Sequence, residues 1–202
     1  MTADPTPAPR PDLRARKKQR TRAAIRKATC RLAAEQGWGS VTTERIASAA
    51  EVSPSTVVRY FPVREDILLG DGNDSLLEAR LRARPTDEQP LESLRAVLLD
   101  AVRTAQADEP EDTRLRARLA AEIPSVRARL TETTAETSRR LAHALAARTG
   151  RDADDLEVRV LTAAVLASVR EATALWAERG GRDALLPLLD RAVDTLRDGL
   201  SL

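Results

Sequence analysis

The chain is 202 residues long, 42% apolar, 32% charged and 2% aromatic, enough for one large domain or two modest ones with a core of Ala, Leu and Val. Its 35 Ala and 27 Leu favour helix, and the β-branched and aromatic runs that sandwiches and barrels need are missing, so an all-α fold is expected. The formal net charge of +2 divides unevenly: residues 1–66 hold 13 Lys+Arg and 7 Asp+Glu (+6), residues 67–202 hold 20 and 24 (−4), which points to a polyanion-binding head and a second module with another ligand.

Residues 1–12 carry four Pro and read as a disordered tail. A helix follows over about 13–36, with Ile25, Ala28, Leu32 and Ala33 on one stripe. Gly37 ends it, and Trp38 folds back on the stripe. Cys30 sits off the stripe as an ordinary small side chain. Arg14, Arg16, Lys17, Lys18, Arg20 and Arg22 form a basic run near its start. Thr42 is an N-cap, with Glu44 near the positive end of a short helix over about 43–50 that buries Ile46 and Ala50. Ser53 caps a second short helix, and Pro54 takes its first position. Val57 and Phe61 lie four apart and face inward, and Ser55 and Arg59 lie opposite. Two short helices joined by a tight turn, the second with a polar outer face, make a helix-turn-helix. A plain helical hairpin shares that polarity but not the charge excess at the same end of the chain.

Pro62 closes the second helix. A longer one opens at Arg64-Glu65-Asp66 and runs to about 83, weakened by Gly70-Asp71-Gly72. After a loop from Pro85 to Pro90, helices are expected at about 91–107, 113–122, 124–149, 152–179 and 183–199. Pro110, Pro124, Gly150 and Gly180-Gly181 mark the breaks. The last two helices are so apolar that one chain has too few elements to cover them, which calls for a partner subunit.

A single Cys and a single His, His143, exclude an intramolecular disulfide, a zinc cluster and an HExxH site. No acid/base or nucleophile set clusters, and the paired glycines follow no strand, so neither an enzyme nor a cofactor site is expected. No stretch approaches about 18 apolar residues without charge, and the N-terminus lacks an apolar signal region, so a cytoplasmic protein without membrane contact is expected. In the helix-turn-helix, Ser55, Thr56 and Arg59 suit the major groove, where Arg59 can pair bidentately with guanine. Thr43, Ser53, Tyr60 and Arg64 suit phosphates. The basic run can follow the backbone or reach the minor groove. The competing reading is a helical interaction module whose basic head meets a protein or a membrane surface.

The stretch Thr21–Leu69 resembles the DNA-binding domain of TetR-family transcriptional regulators. The matching residues are Ile25-(x2)-Ala28, Glu35-x-Gly37, Val41-Thr42-(x3)-Ile46-Ala47, Ala50-x-Val52-Ser53, Thr56, Tyr60-Phe61 and Glu65-x-Ile67. Three positions depart from the family pattern: Glu51 stands where Gly is common in the turn, Val58 where Tyr is common, and Arg64 where Lys is common. The resemblance implies a DNA-binding domain over 13–66 that uses Thr42, Thr43, Ser53, Pro54, Ser55, Thr56, Val58, Arg59, Tyr60 and Arg64, with Arg16 and Lys18 from the basic run. It implies a ligand-binding and dimerisation domain over 67–202 whose last two helices, about 156–179 and 183–199, form a four-helix seam. The whole is then a homodimeric repressor on a palindromic double-stranded operator, released when a small-molecule effector tilts the helix that starts at Arg64. The runs RYFPVREDILLGD and RARPTDEQPLESLRA resemble a subset named for acyl-CoA-like ligands. Leu98, Leu119, Thr134, Arg170 and Trp176 are the candidate pocket residues. Arg170 is either a ligand anchor or an interface ion pair, and His143 is an exposed helix residue.

Overall fold

Proline and glycine punctuate the chain much as the sequence predicts. A computed structural model describes residues 13–69, 74–108 and 110–200, and all regular structure among them is helical. Its contacts divide the chain into two units at the Pro62–Val63 bond. The expected tail over 1–12 and the Gly70-Asp71-Gly72 break lie outside the described residues.

The N-terminal unit holds α1 (Leu13–Gln36), α2 (Thr43–Ala49) and α3 (Pro54–Tyr60). The α1 stripe Ile25, Ala28, Leu32 and Ala33 is buried, as are Val41, Ile46, Val57 and Phe61. Gly37 adopts φ 77°, and its amide donates to the Ala33 carbonyl at 3.1 Å. That positive-φ turn ends α1, because glycine has no Cβ to crowd the backbone there.

The second unit holds α4 (Asp66–Leu69), α5 (Asp74–Arg82), α6 (Pro90–Asp108), α7 (Pro110–Glu122), α8 (Pro124–Thr149), α9 (Leu156–Glu178) and α10 (Leu185–Arg197). The helix expected over 64–83 is therefore recorded as α4 and α5, and α4 belongs to this unit. Pro110 opens α7 instead of only ending α6, since a first-turn residue has no intrahelical amide bond to lose. The start of α9 falls later than expected. The Asp152 carboxylate accepts from the Asp154 amide at 2.9 Å, a local turn that competes with helix.

At the centre of this unit α9 packs against α6, α7, α8 and α10. By length and composition it is apolar enough to cross a membrane, with a mean hydropathy of 1.3 and a third of that apolar window buried in the chain, against the expectation of no such stretch. One core cluster joins Leu81, Leu94, Leu98, Leu141, Leu145 and Val165. A second joins Trp176 to Ala172, Leu185 and Leu189. The Trp176 indole donates to the Asp183 carbonyl at 2.8 Å and so closes the α9–α10 loop. Leu185, Leu189 and Val193 are buried within the chain. Leu186, Leu188 and Leu196 of the same helix are only half-buried, and on α9 Leu156 is 71% and Val160 55% exposed.

Ion pairs brace this unit. Arg129 reaches both carboxylate oxygens of Asp66, at 2.7 and 3.1 Å, which ties α8 to α4. Arg95 joins α6 to Asp190 of α10 at 2.7 Å. Near the end of α8, Arg148 donates to Ser93 Oγ at 2.6 Å, to the Glu88 carbonyl at 2.7 Å and to the Pro85 carbonyl, which fixes the loop before α6. Arg84 and the Ser93 hydroxyl both bond the Glu88 side chain and hold its carboxyl down to about 2.

Candidate nucleic-acid interface

The helix-turn-helix is built from two local caps. Thr42 Oγ1 accepts from the Arg45 amide at 3.3 Å and starts α2. The Glu44 carboxyl is lowered by bonding to its own amide and then to Thr42. At α3, Ser53 Oγ accepts from the Thr56 amide at 3.2 Å, with Pro54 at the first position. The same oxygen lies 2.9 Å from Ser55 Oγ and 2.8 Å from Thr56 Oγ1. Three hydroxyls on the leading end of α3 are therefore mutually ordered before any ligand arrives. Val57 and Phe61 anchor the inner face.

The outer face carries what a groove reader needs. Pro54, Ser55, Val58 and Arg59 are exposed, and Thr56 and Tyr60 are half-buried. Val58, at 52% exposure, is free to meet a thymine methyl. The Arg59 guanidinium lies 5.4 Å from the centroid of the Tyr60 ring and has no carboxylate partner among the described residues. Thr42 is exposed and Thr43 half-buried at the start of α2. Arg16 and Lys18 stand exposed on the first turns of α1. Arg64 falls in the second unit, 3.9 Å from Glu65.

Of two further features, the first was signalled by the sequence and the second escapes it. The turn between α2 and α3 places Glu51 at φ 54°, the left-handed region in which a side chain costs about 1–2 kcal/mol. The family pattern of glycine here carried that signal. Arg22, grouped above with the basic run, is half-buried and donates to the Tyr60 carbonyl at 3.1 Å, with its guanidinium 4.3 Å from the Phe61 ring centroid. Nothing local could show this, because the two residues stand 38 apart in sequence.

Leu98 belongs to the main core cluster and Trp176 to the second, and Leu119 is 4% exposed. Among the described residues, Thr134 and Arg170 both line a groove of about 380 Å³ between α8 and α9. Its apolar lining includes Ala135, Ala142, Ala163, Leu166 and Ala167, and its polar lining includes Arg139, His143 and Arg159. His143 is exposed, as expected. Arg170 bridges to Thr131 Oγ1 at 3.4 Å. Neither Arg139 nor Arg170 has a carboxylate partner among the described residues.

Comparison with known proteins decides the family. A model described as bacterial regulatory proteins, tetR family, matches residues 25–70, and one described as MftR C-terminal domain matches 88–201. The chain is 34% identical over 201 residues to the HTH-type transcriptional regulator TcmR of Streptomyces glaucescens, covering 94% of this chain and 88% of that protein. This chain belongs to the TetR family of bacterial transcriptional regulators. Regulators of this family bind DNA operators as dimers and respond to small-molecule ligands. Among solved structures, Thermus thermophilus FadR in complex with lauroyl-CoA is similar at 22% identity and a TM-score of 0.55, covering 90% of this chain and 95% of that one. NalD of Pseudomonas aeruginosa, the secondary repressor of the MexAB-OprM efflux pump, is similar at 20% identity and a TM-score of 0.61, covering 90% and 97%. At those identities the likeness is one of fold.

Proposed function

We propose that this TetR-family regulator is a cytoplasmic repressor that reads a palindromic operator as a homodimer, with α3 in the major groove, and leaves it when a small molecule binds the second unit. The observation that carries the reading is α3 itself: capped at Ser53, anchored by Val57 and Phe61, and presenting Ser55, Val58 and Arg59 outward. Arg59 pairs with guanine, Ser55 and Thr56 contact base edges, and Thr42, Thr43, Ser53, Pro54 and Tyr60 contact the backbone. Arg16, Lys18 and Arg64 add phosphate contacts.

The dimer seam runs along the outer face of α9, whose Leu156 and Val160 lack cover in the chain, with the flank of α10 beside it. The groove between α8 and α9 supports an effector with an apolar body and an anionic group. Its apolar lining is Leu166 and five Ala, and its two arginines without carboxylate partners among the described residues, Arg139 and Arg170, suit an anion. A hydrophobic or acyl-CoA-like compound fits that description. Of the candidate pocket residues this reading keeps Thr134 and Arg170; Leu98 and Trp176 lie in core clusters and Leu119 is buried.

The test is selection of bound duplexes from a random pool, followed by affinity measurements over a salt series. The expected site is palindromic, with a steep fall in affinity as salt rises. Arg59→Ala and Thr56→Ala should each weaken it. Operator affinity unchanged by both substitutions overturns the assignment of α3.

A further inference from the structure

We propose that Arg22 sets operator specificity without touching DNA, as a positioning residue that clasps the trailing end of α3. The inference rests on the reading of α3 as the groove helix.

The two ends of α3 are held differently. Its leading end is capped within the segment by Ser53. At its trailing end Phe61 donates its amide to the Val57 carbonyl at 2.8 Å, while the Tyr60 carbonyl is one of the last-turn acceptors with no helical donor. The donor comes from α1: Arg22 Nη1, 3.1 Å away. A cation at a helix C-terminus is also favoured by the helix dipole. The same guanidinium lies over Phe61, 4.3 Å from the ring centroid, and Phe61 is itself buried. One planar group thus grips both the last carbonyl of α3 and the ring that follows it. Arg59 and Tyr60 lie in the turn being gripped. A small rotation of α3 about its Ser53 end moves Arg59 the most, and bidentate base pairing is intolerant of such shifts.

The rival role for Arg22 is the one its neighbours Arg16 and Lys18 hold, a phosphate contact. The two roles leave different signatures. Loss of a phosphate contact weakens binding to all sequences alike and lowers the salt slope by about one per site. Loss of a positioning residue lowers the ratio of operator to scrambled-duplex affinity and leaves the salt slope in place.

The experiment measures both quantities for the full chain and for Arg22→Lys, Phe61→Leu, the double variant and Arg59→Ala. Lysine keeps the charge and the aliphatic stem but lacks the planar fork. Arg22→Lys and Phe61→Leu should each lower the specificity ratio roughly tenfold, the order of one mismatched base pair. The double variant should fall no further than the worse single one, because both break one clasp. A lowered salt slope with an intact ratio makes Arg22 a phosphate contact and overturns the inference. Additive losses do the same, and so does a ratio that falls only in step with the folded fraction reported by Trp38 fluorescence. If Arg59→Ala also leaves the ratio unchanged, the reading of α3 fails. If Arg59→Ala lowers it and the Arg22 variants do not, the clasp alone fails.

Discussion

Arginine does opposite work in the two units. In the N-terminal unit Arg16, Lys18 and Arg59 have no carboxylate partners among the described residues and stand exposed. In the second unit arginines are staples: Arg129 to Asp66, Arg95 to Asp190, Arg84 to Glu88, Arg151 to Asp155. The first unit rests on a small apolar centre and two hydroxyl caps, with Arg22 turned inward to the Tyr60 carbonyl. The second unit rests on long helices with leucine-rich cores, and its charges are largely neutralised internally. A net charge near zero for the whole chain conceals this division of labour.

The two tryptophans fall one in each unit, Trp38 and Trp176, so each half can be perturbed and read separately. The largest expected effect is Trp176→Ala. It empties the second core cluster and removes the bond to the Asp183 carbonyl, and should destabilise the second unit by about 3–5 kcal/mol. Denaturant unfolding followed by far-UV circular dichroism reads that loss, while Trp38 fluorescence reports the N-terminal unit. Equal destabilisation of both halves would show that they do not unfold separately.

Arg59→Ala comes next. It should weaken operator binding by about 1–3 kcal/mol, the worth of one bidentate base contact, while leaving the Trp38 melt unchanged. Fluorescence anisotropy on a labelled operator gives the first quantity.

A smaller effect of opposite sign is expected at the turn. Glu51 at φ 54° carries left-handed strain, so Glu51→Gly should stabilise the N-terminal unit by about 1 kcal/mol. A lower denaturation midpoint for this variant would mean that the Glu51 side chain makes a compensating interaction.

The finest comparison uses pH. The Glu88 carboxyl, ordinarily near 4.5, is held at about 2 by hydrogen bonds from Arg84 and Ser93. A folded-state value below the unfolded one stabilises the fold above the ordinary carboxylate range. The contribution is then lost as pH falls from about 4.5 toward 2. Glu88→Gln should flatten the pH dependence of the second unit's stability in that window and leave Trp38 unaffected. An acid transition identical to that of the unaltered chain would remove Glu88 from this role.

Much of the site was legible because it is local. Thr42 and Ser53 cap helices that begin at the next residue, and Pro54 announces the first turn. Val57 and Phe61 sit one helical turn apart, so their shared inward face follows from spacing alone. The bond from Arg22 to the Tyr60 carbonyl could not be read from the basic run, because that partner lies on another helix. Arg26 is buried despite standing in the same basic stretch, again a matter of which side of α1 the other helices cover.

The sequence by itself determined the all-helical fold, the punctuation by proline and glycine, the helix-turn-helix and the polarity of charge between the halves. These depend on propensity, spacing and capping, which act over a few residues. Tertiary structure alone decided which apolar faces remain uncovered. Both final helices are rich in leucine, yet α10 buries Leu185, Leu189 and Val193 in its own chain while α9 keeps Leu156 and Val160 in solvent. It alone brought Arg170 across to Thr131 and left Trp176 and Leu98 in the core. Burial is set by which helix surfaces meet, and that pairing acts between residues far apart in the chain, where local periodicity carries no information.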